Sequence, residues 1–228
     1  MERYIKKLIY GGENKWVDFK YCINDSRKIA RTLSAFANTE GGTLLLGVRD
    51  NGSIAGVDSE EEYYMIEAAA RLYCKPEVPI IIKQHFLSGK TIIEVKVIKG
   101  SNRPYKAKGE DGKWRAYFRN NDQNLVANRI LLKLWKKRES KKGVLIKFGK
   151  PENLLLKYLK TNKSISLSAF RKLAGIPVYR AEKIIVNLLH CSVLSMNASE
   201  KGYTYSLFRN ESTIKDNVNK LPGVNKYL

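Results

Sequence analysis

Glu13, Asp18, Lys20 and Asp50 are the residues of this chain whose types and spacing could do chemistry. Carboxylates brought together offer hard oxygen ligands to a divalent cation, which in turn can bind a phosphoryl oxygen and activate water at a scissile phosphate. Lys20 falls on the same strand face as Asp18. From there it could stabilise charge developing on a phosphate, or serve as the ion-pair partner that keeps Asp18 ionised. The same acids also have a purely structural reading. Glu13 would be a surface carboxylate, Asp18 a buried ion-pair partner, and Asp50 the first residue of an Asp50-Asn51-Gly52 turn.

The elements that must position these residues read as an alternation of strands and helices. Residues 16–21 form a short strand with Trp16, Asp18 and Lys20 on one face and Val17, Phe19 and Tyr21 on the other. Ser26 is placed to cap a helix whose Ile29, Leu33, Phe36 and Ala37 recur at helical spacing, and Gly41-Gly42 ends it. Residues 43–48 are a continuous apolar run, as a buried central strand requires. Ser59 with Glu62 opens a further helix reaching Tyr73, and strands are expected over 80–86, 91–97 and 114–119. The fold class is mixed α/β. The expected domain spans 1–140, followed by a basic linker over 141–150, a small domain over 151–209 and a polar tail over 210–228, in which Leu221, Val224 and Tyr227 could dock on a partner.

In the small domain, helices are expected over 154–159, 167–173 and 178–189, and two strands over 193–196 and 203–207. Three helices followed by a hairpin resemble a winged helix. Ile184, Ile185, Leu188 and Leu189 form the core stripe of the third helix, which leaves Tyr179, Arg180, Lys183 and Asn187 for phosphate and base-edge contact, joined by Lys201 in the wing. A basic run at the junction contributes Lys133, Lys136, Lys137, Arg138, Lys141, Lys142, Lys147 and Lys150. With a formal net charge of +20, the chain suits a polyanion, because lysine and arginine neutralise phosphates and release condensed counterions.

The three cysteines, Cys22, Cys74 and Cys191, are scattered, odd in number and without a C-x-x-C spacing, which points to a reducing compartment and away from a structural zinc site. No stretch approaches the roughly eighteen apolar residues of a membrane span, so a cytoplasmic location without membrane contact is expected. Ser88-Gly89-Lys90-Thr91 matches the end of a phosphate-binding loop, but the earlier glycine position holds Gln84 and the segment joins two strands. It reads as a turn, and ATP binding is not supported. His190 and Cys191, adjacent on a helix, point in different directions and make no catalytic pair.

Three linked segments, Glu13 to Lys20, Ala35-Phe36-Ala37-Asn38-Thr39-Glu40-Gly41-Gly42, and Gly47 to Gly56, resemble in order the hallmarks of the AlbA-like domain of the Schlafen family. Some members are metal-dependent nucleases, and their acids correspond to Glu13, Asp18 and Asp50. The resemblance therefore implies a magnesium or manganese site at those three and a charge-stabilising role for Lys20. Asp18 replaces the family glutamate and is a methylene shorter, and Asn14 replaces a serine. Schlafen cores pair two such lobes around a nucleic-acid groove, whereas this chain holds one set of motifs, which implies a homodimer. The reading is a nucleic-acid-binding protein, DNA before RNA, acting as a transcriptional regulator or a defence-associated factor. The alternatives are a divalent-metal-dependent nuclease on RNA or single-stranded DNA, and a protein-interaction adaptor.

Overall fold

In the computed structural model, which describes residues 2–57, 59–140, 148–199 and 201–208, the helix expected near Ser26 is the centre of the first of two units, Met1–Lys136 and Lys137–Leu228. This helix, α2 (Ser26–Asn38), is buried along nearly its whole length from Ile29. Ala30, Ser34, Ala35 and Ala37 are small enough to admit close neighbours, while Leu33 and Phe36 fill the space between. Asp25, and not Ser26, caps the helix, its carboxylate accepting from Arg27 N at 2.8 Å. Helix α1 (Glu2–Tyr10) precedes it and α3 (Ser59–Arg71) follows.

The strands of the first unit are β1 (Val17–Lys20), β2 (Gly42–Leu46), β3 (Cys74–Lys75), β4 (Ile80–Leu87), β5 (Lys90–Val97), β6 (Lys106–Lys108), β7 (Trp114–Asn120) and β8 (Gln123–Val126). They form two four-stranded sheets, ordered β1-β2-β5-β4 and β3-β6-β7-β8. In the first sheet β1 runs parallel to β2 and the other pairs are antiparallel. Leu44, Leu46, Ile93, Val95 and Val97 face a core shared with α2, α3, Tyr105, Ala107 and Tyr117. Val17, Phe19, Leu45, Val48 and Ile92 face a second core closed by Ile5, Leu8 and Ile9 of α1. Burial of both faces is why β2 reads as an unbroken apolar run. A Cβ at Gly42 would run into the Phe36 ring, and one at Gly41, where φ is +78°, would lie 2.7 Å from Val97 O. The glycine pair thus sets how closely helix and sheet approach.

Ser88 and Gly89 form the tight turn of the β4–β5 hairpin, both with positive φ. Helix α4 (Arg129–Glu139) buries Ile130, Leu131, Leu134 and Trp135 and exposes Lys133, Lys136 and Arg138.

The second unit holds α5 (Lys150–Thr161), α6 (Leu167–Ala174), α7 (Val178–His190) and an antiparallel hairpin of β9 (Leu194–Ser199) and β10 (Gly202–Leu207). Ser166 caps α6 by accepting from Ala169 N at 3.2 Å, and Gly175 ends it in the left-handed region. Ile165 pairs with Tyr205 through Ile165 N to Tyr205 O at 2.9 Å and Tyr205 N to Ile165 O at 2.8 Å. That bridge ties the segment before α6 to the hairpin, over a core of Leu155, Phe170, Ile185, Leu188 and Tyr205. Lys141, Lys142 and Lys147 of the basic run, and the expected tail with Leu221, Val224 and Tyr227, lie outside the described residues. Among the described residues no helix is long and apolar enough to cross a membrane.

Candidate functional site

Asp18 stands opposite Leu44 in the β1–β2 register and turns its carboxylate toward α2, where it is 3% exposed. A carboxylate so placed needs partners, and three elements supply them. Its Oδ1 accepts from Arg119 Nη2 of β7 at 3.0 Å. Its Oδ2 lies 3.1 Å from Lys20 Nζ and accepts from Thr32 Oγ1 of α2 at 3.4 Å.

Arg119 is the residue the sequence reading missed. Its side chain is fully buried, with Nη2 also donating to Asn14 O and Val17 O at 3.1 Å and Nη1 to Asn124 Oδ1 at 3.1 Å. The guanidinium lies 5.2 Å over the Phe36 ring, and the Arg119 backbone N donates to Thr39 Oγ1 at 2.9 Å. A planar, permanently charged fork is suited to so many acceptors at once. Arg119 thereby joins the second sheet to β1 and to the end of α2.

Glu13 turns back along β1 so that its Oε1 accepts from Phe19 N at 2.8 Å, with Lys20 Nζ at 3.9 Å. Burial pushes the Glu13 carboxyl above the usual range, and the Asp18 carboxylate pushes it further, against the opposing pull of the Phe19 N–H and of Lys20. Lys20 itself donates to Phe19 O at 2.5 Å. The structure therefore brings Glu13, Asp18 and Lys20 together.

Asp50 is exposed on a turn held by Gly52 N to Arg49 O at 2.8 Å and Ser53 N to Asn51 Oδ1 at 2.9 Å. Among the described residues no three His, Cys, Asp or Glu side chains gather into a metal-holding group. In this arrangement Glu13, Asp18 and Asp50 do not fit a magnesium or manganese site. Both oxygens of Asp18 are engaged by cations of the chain itself, and the third acid belongs to a surface turn.

Asn38, the last residue of α2, spans to the second sheet. Its Nδ2 donates to Tyr105 O at 2.7 Å and Tyr117 O at 2.8 Å, and its Oδ1 accepts from Tyr105 N at 2.8 Å. The Asn requirement follows from geometry, since a primary amide alone offers two donors and an acceptor at that reach.

In the second unit Tyr179, Arg180 and Lys183 are exposed on one side of α7, and Lys201 is exposed between β9 and β10. Asn187 is only half-exposed and accepts from Lys137 Nζ at 2.5 Å, so these two expected contact residues are spent on each other. Arg171 and Lys172, in the last turn of α6, add exposed charge that helical spacing alone did not single out.

Residues 13–128 match the Schlafen, AlbA_2 family. No curated protein matches the chain. Among solved structures, the DIP2311 protein from Corynebacterium diphtheriae is 17% identical with a TM-score of 0.41, the match covering 55% of this chain and 28% of that one. The N-terminal domain of a protein from Nitrosomonas europaea, described as related to the ATP-dependent DNA helicase RecG, is 20% identical with a TM-score of 0.40, over 55% of this chain and 95% of that one.

Proposed function

The chain belongs to the Schlafen, AlbA_2 family, and on that premise we propose that it binds nucleic acid, DNA in preference to RNA, as a transcriptional regulator or defence-associated factor. The observation that carries this reading is the exposed stripe of Tyr179, Arg180 and Lys183 along α7, in a chain of net charge +20. A cationic stripe flanked by an aromatic ring offers phosphate contacts together with base-edge or stacking contacts. The second unit is a winged helix with α7 as its recognition helix. This is supported by the order of three helices and a hairpin and by the Ile165–Tyr205 bridge that ties them. Binding is favoured over cleavage because the Asp18 oxygens are already held by Arg119 and Lys20. The working form is a homodimer, supported by the single set of family motifs.

The test is fluorescence anisotropy of labelled duplex DNA and of the matching RNA duplex with the full chain over a range of salt concentrations. Affinity is expected to fall steeply with salt and to favour DNA. Arg180→Ala is expected to cost about 1–3 kcal/mol at a preferred site if it reads a base edge. Binding that ignores both salt and the Arg180 substitution would leave the chain a protein-contact module.

A further inference from the structure

β4 is an edge strand of eight residues, Ile80–Leu87, paired on one side only. In a hairpin closed by a two-residue turn, the pair flanking the turn is hydrogen-bonded and bonded pairs then alternate. Leu87 opposes Lys90 at the turn, so His85, Lys83 and Ile81 bond to Ile92, Glu94 and Lys96. The N–H and C=O groups of Ile82, Gln84 and Phe86 point the other way, and among the described residues they meet no backbone partner. Phe86 is 69% exposed and Ile81 45%. The strand carries no proline and no acid. A single lysine, Lys83, is the one device on it of the kind that usually blunts an edge.

We propose that this edge is a self-recognition surface: β4 of one chain pairs antiparallel with β4 of a second copy about a two-fold axis at Gln84. The contact rests on the self-association proposed above and supplies its surface. The strand is its own complement in that register. Ile82 falls opposite Phe86 of the second copy, and by symmetry this happens twice, which covers the most exposed aromatic of the strand. Gln84 meets Gln84, and Ile81 meets Leu87. Lys83 faces His85 of the second copy, so the two lysines are offset along the strands and do not stand directly opposite each other. Moving the axis by one residue to Lys83 would set two lysines directly opposite each other, which is unfavourable. The two-fold about Gln84 is therefore selected by charge as well as by apolar pairing, and it is isologous and closed.

Sedimentation velocity on the full chain, free of nucleic acid and across the micromolar range, tests the contact. Gln84→Pro removes an N–H that the fold does not use, at an edge position where proline is tolerated. The wild-type chain is expected at twice the chain mass, and Gln84→Pro at the single-chain mass with an unchanged far-ultraviolet circular dichroism spectrum. A variant that stays dimeric overturns the β4 contact while leaving self-association standing; a wild-type chain of single mass at every concentration overturns both. Hydrogen exchange on the unmodified protein decides even if the variant fails to fold. Slowed exchange at the Ile82, Gln84 and Phe86 amides that is lost on dilution supports the contact, and fast exchange at all three in a dimeric sample overturns it.

Discussion

Edge strand β1 ends its outward polar groups on side chains and loops of its own unit, whereas edge strand β4 of the same sheet leaves its own unmatched. On β1, Phe19 N is taken by Glu13, Phe19 O by Lys20, and Val17 O by Asn14 N at 2.9 Å and by Arg119. On β4 the corresponding groups of Ile82, Gln84 and Phe86 meet no backbone partner among the described residues. Closing an edge from within requires charged and polar side chains that reach along the backbone, and these must themselves be neutralised when half-buried. Glu13, Asp18, Lys20 and Arg119 form such a self-neutralising group, with two charges of each sign. Residues that resemble a catalytic constellation can therefore be the finish of a strand edge.

The comparison breaks hardest at Arg119. Arg119→Met is expected to destabilise the fold by about 3–5 kcal/mol, because it leaves the Asp18 carboxylate buried without its principal cation and strips donors from Asn14 O and Val17 O. Urea denaturation with matched slopes measures it. A loss within the range of a surface substitution would mean that β1 is held by its pairing with β2 alone.

How far the sequence discloses this contrast varies by residue. Face alternation located β1, helical spacing located α2 and a continuous apolar run located β2, and strands were expected where β4, β5 and β7 stand. Asp18 as a buried ion-pair partner was legible as one of two readings, since an acid between Val17 and Phe19 must either be solvated or paired. Its partner was not legible, because Arg119 lies about a hundred residues away in sequence and nothing local distinguishes it from a strand-end arginine. Helix α1 was not expected although Ile5, Leu8 and Ile9 recur at helical spacing, because nine residues leave that period little room to declare itself. β3 and β6 are two and three residues long, too short for any pattern to declare them. The open edge follows from strand order, which alternation alone does not give.

Glu13 comes next in size. Glu13→Ala frees Phe19 N–H and is expected to cost about 1 kcal/mol. Glu13→Gln keeps an acceptor and isolates the charge. Since burial raises the folded carboxyl above its unfolded value, the folded chain holds this proton to higher pH than the unfolded chain does. The Glu13 contribution is therefore fullest below the ordinary glutamate range and falls as pH rises from there through the raised folded value. The stability difference, wild type minus Glu13→Gln, should decline across that window. A difference that rises would place Glu13 with the ordinary surface carboxylates.

Lys20→Met tests the outermost member of the sealed edge. Its side chain is 38% exposed, with the ammonium shared between Asp18 and the Phe19 carbonyl, so solvent can replace part of what is lost, and about 0.5–1 kcal/mol is expected. The sedimentation mass should be unchanged, because this edge stays closed by Glu13 and Arg119. Association that changes with Lys20 would transfer the self-recognition surface from β4 to β1.

Lys83 carries the smallest expected effect on the folded chain and sharpens the comparison most. It is exposed on β4 and lies beside the proposed two-fold, where two copies bring like charges near one another. Lys83→Thr removes that charge and installs a β-branched residue suited to a strand, so stability at equal degrees of association should move by no more than about 0.5 kcal/mol. The dimer should nevertheless persist to greater dilution than in the wild type, because the residue opposes pairing without supporting the fold. Dilution series followed by sedimentation, with urea melts taken well below the dissociation midpoint, separate the two quantities. If Lys83→Thr alters the monomer melt and leaves the dilution curve in place, the lysine belongs to the packing of its own sheet, and the edges differ less than their hydrogen bonds indicate.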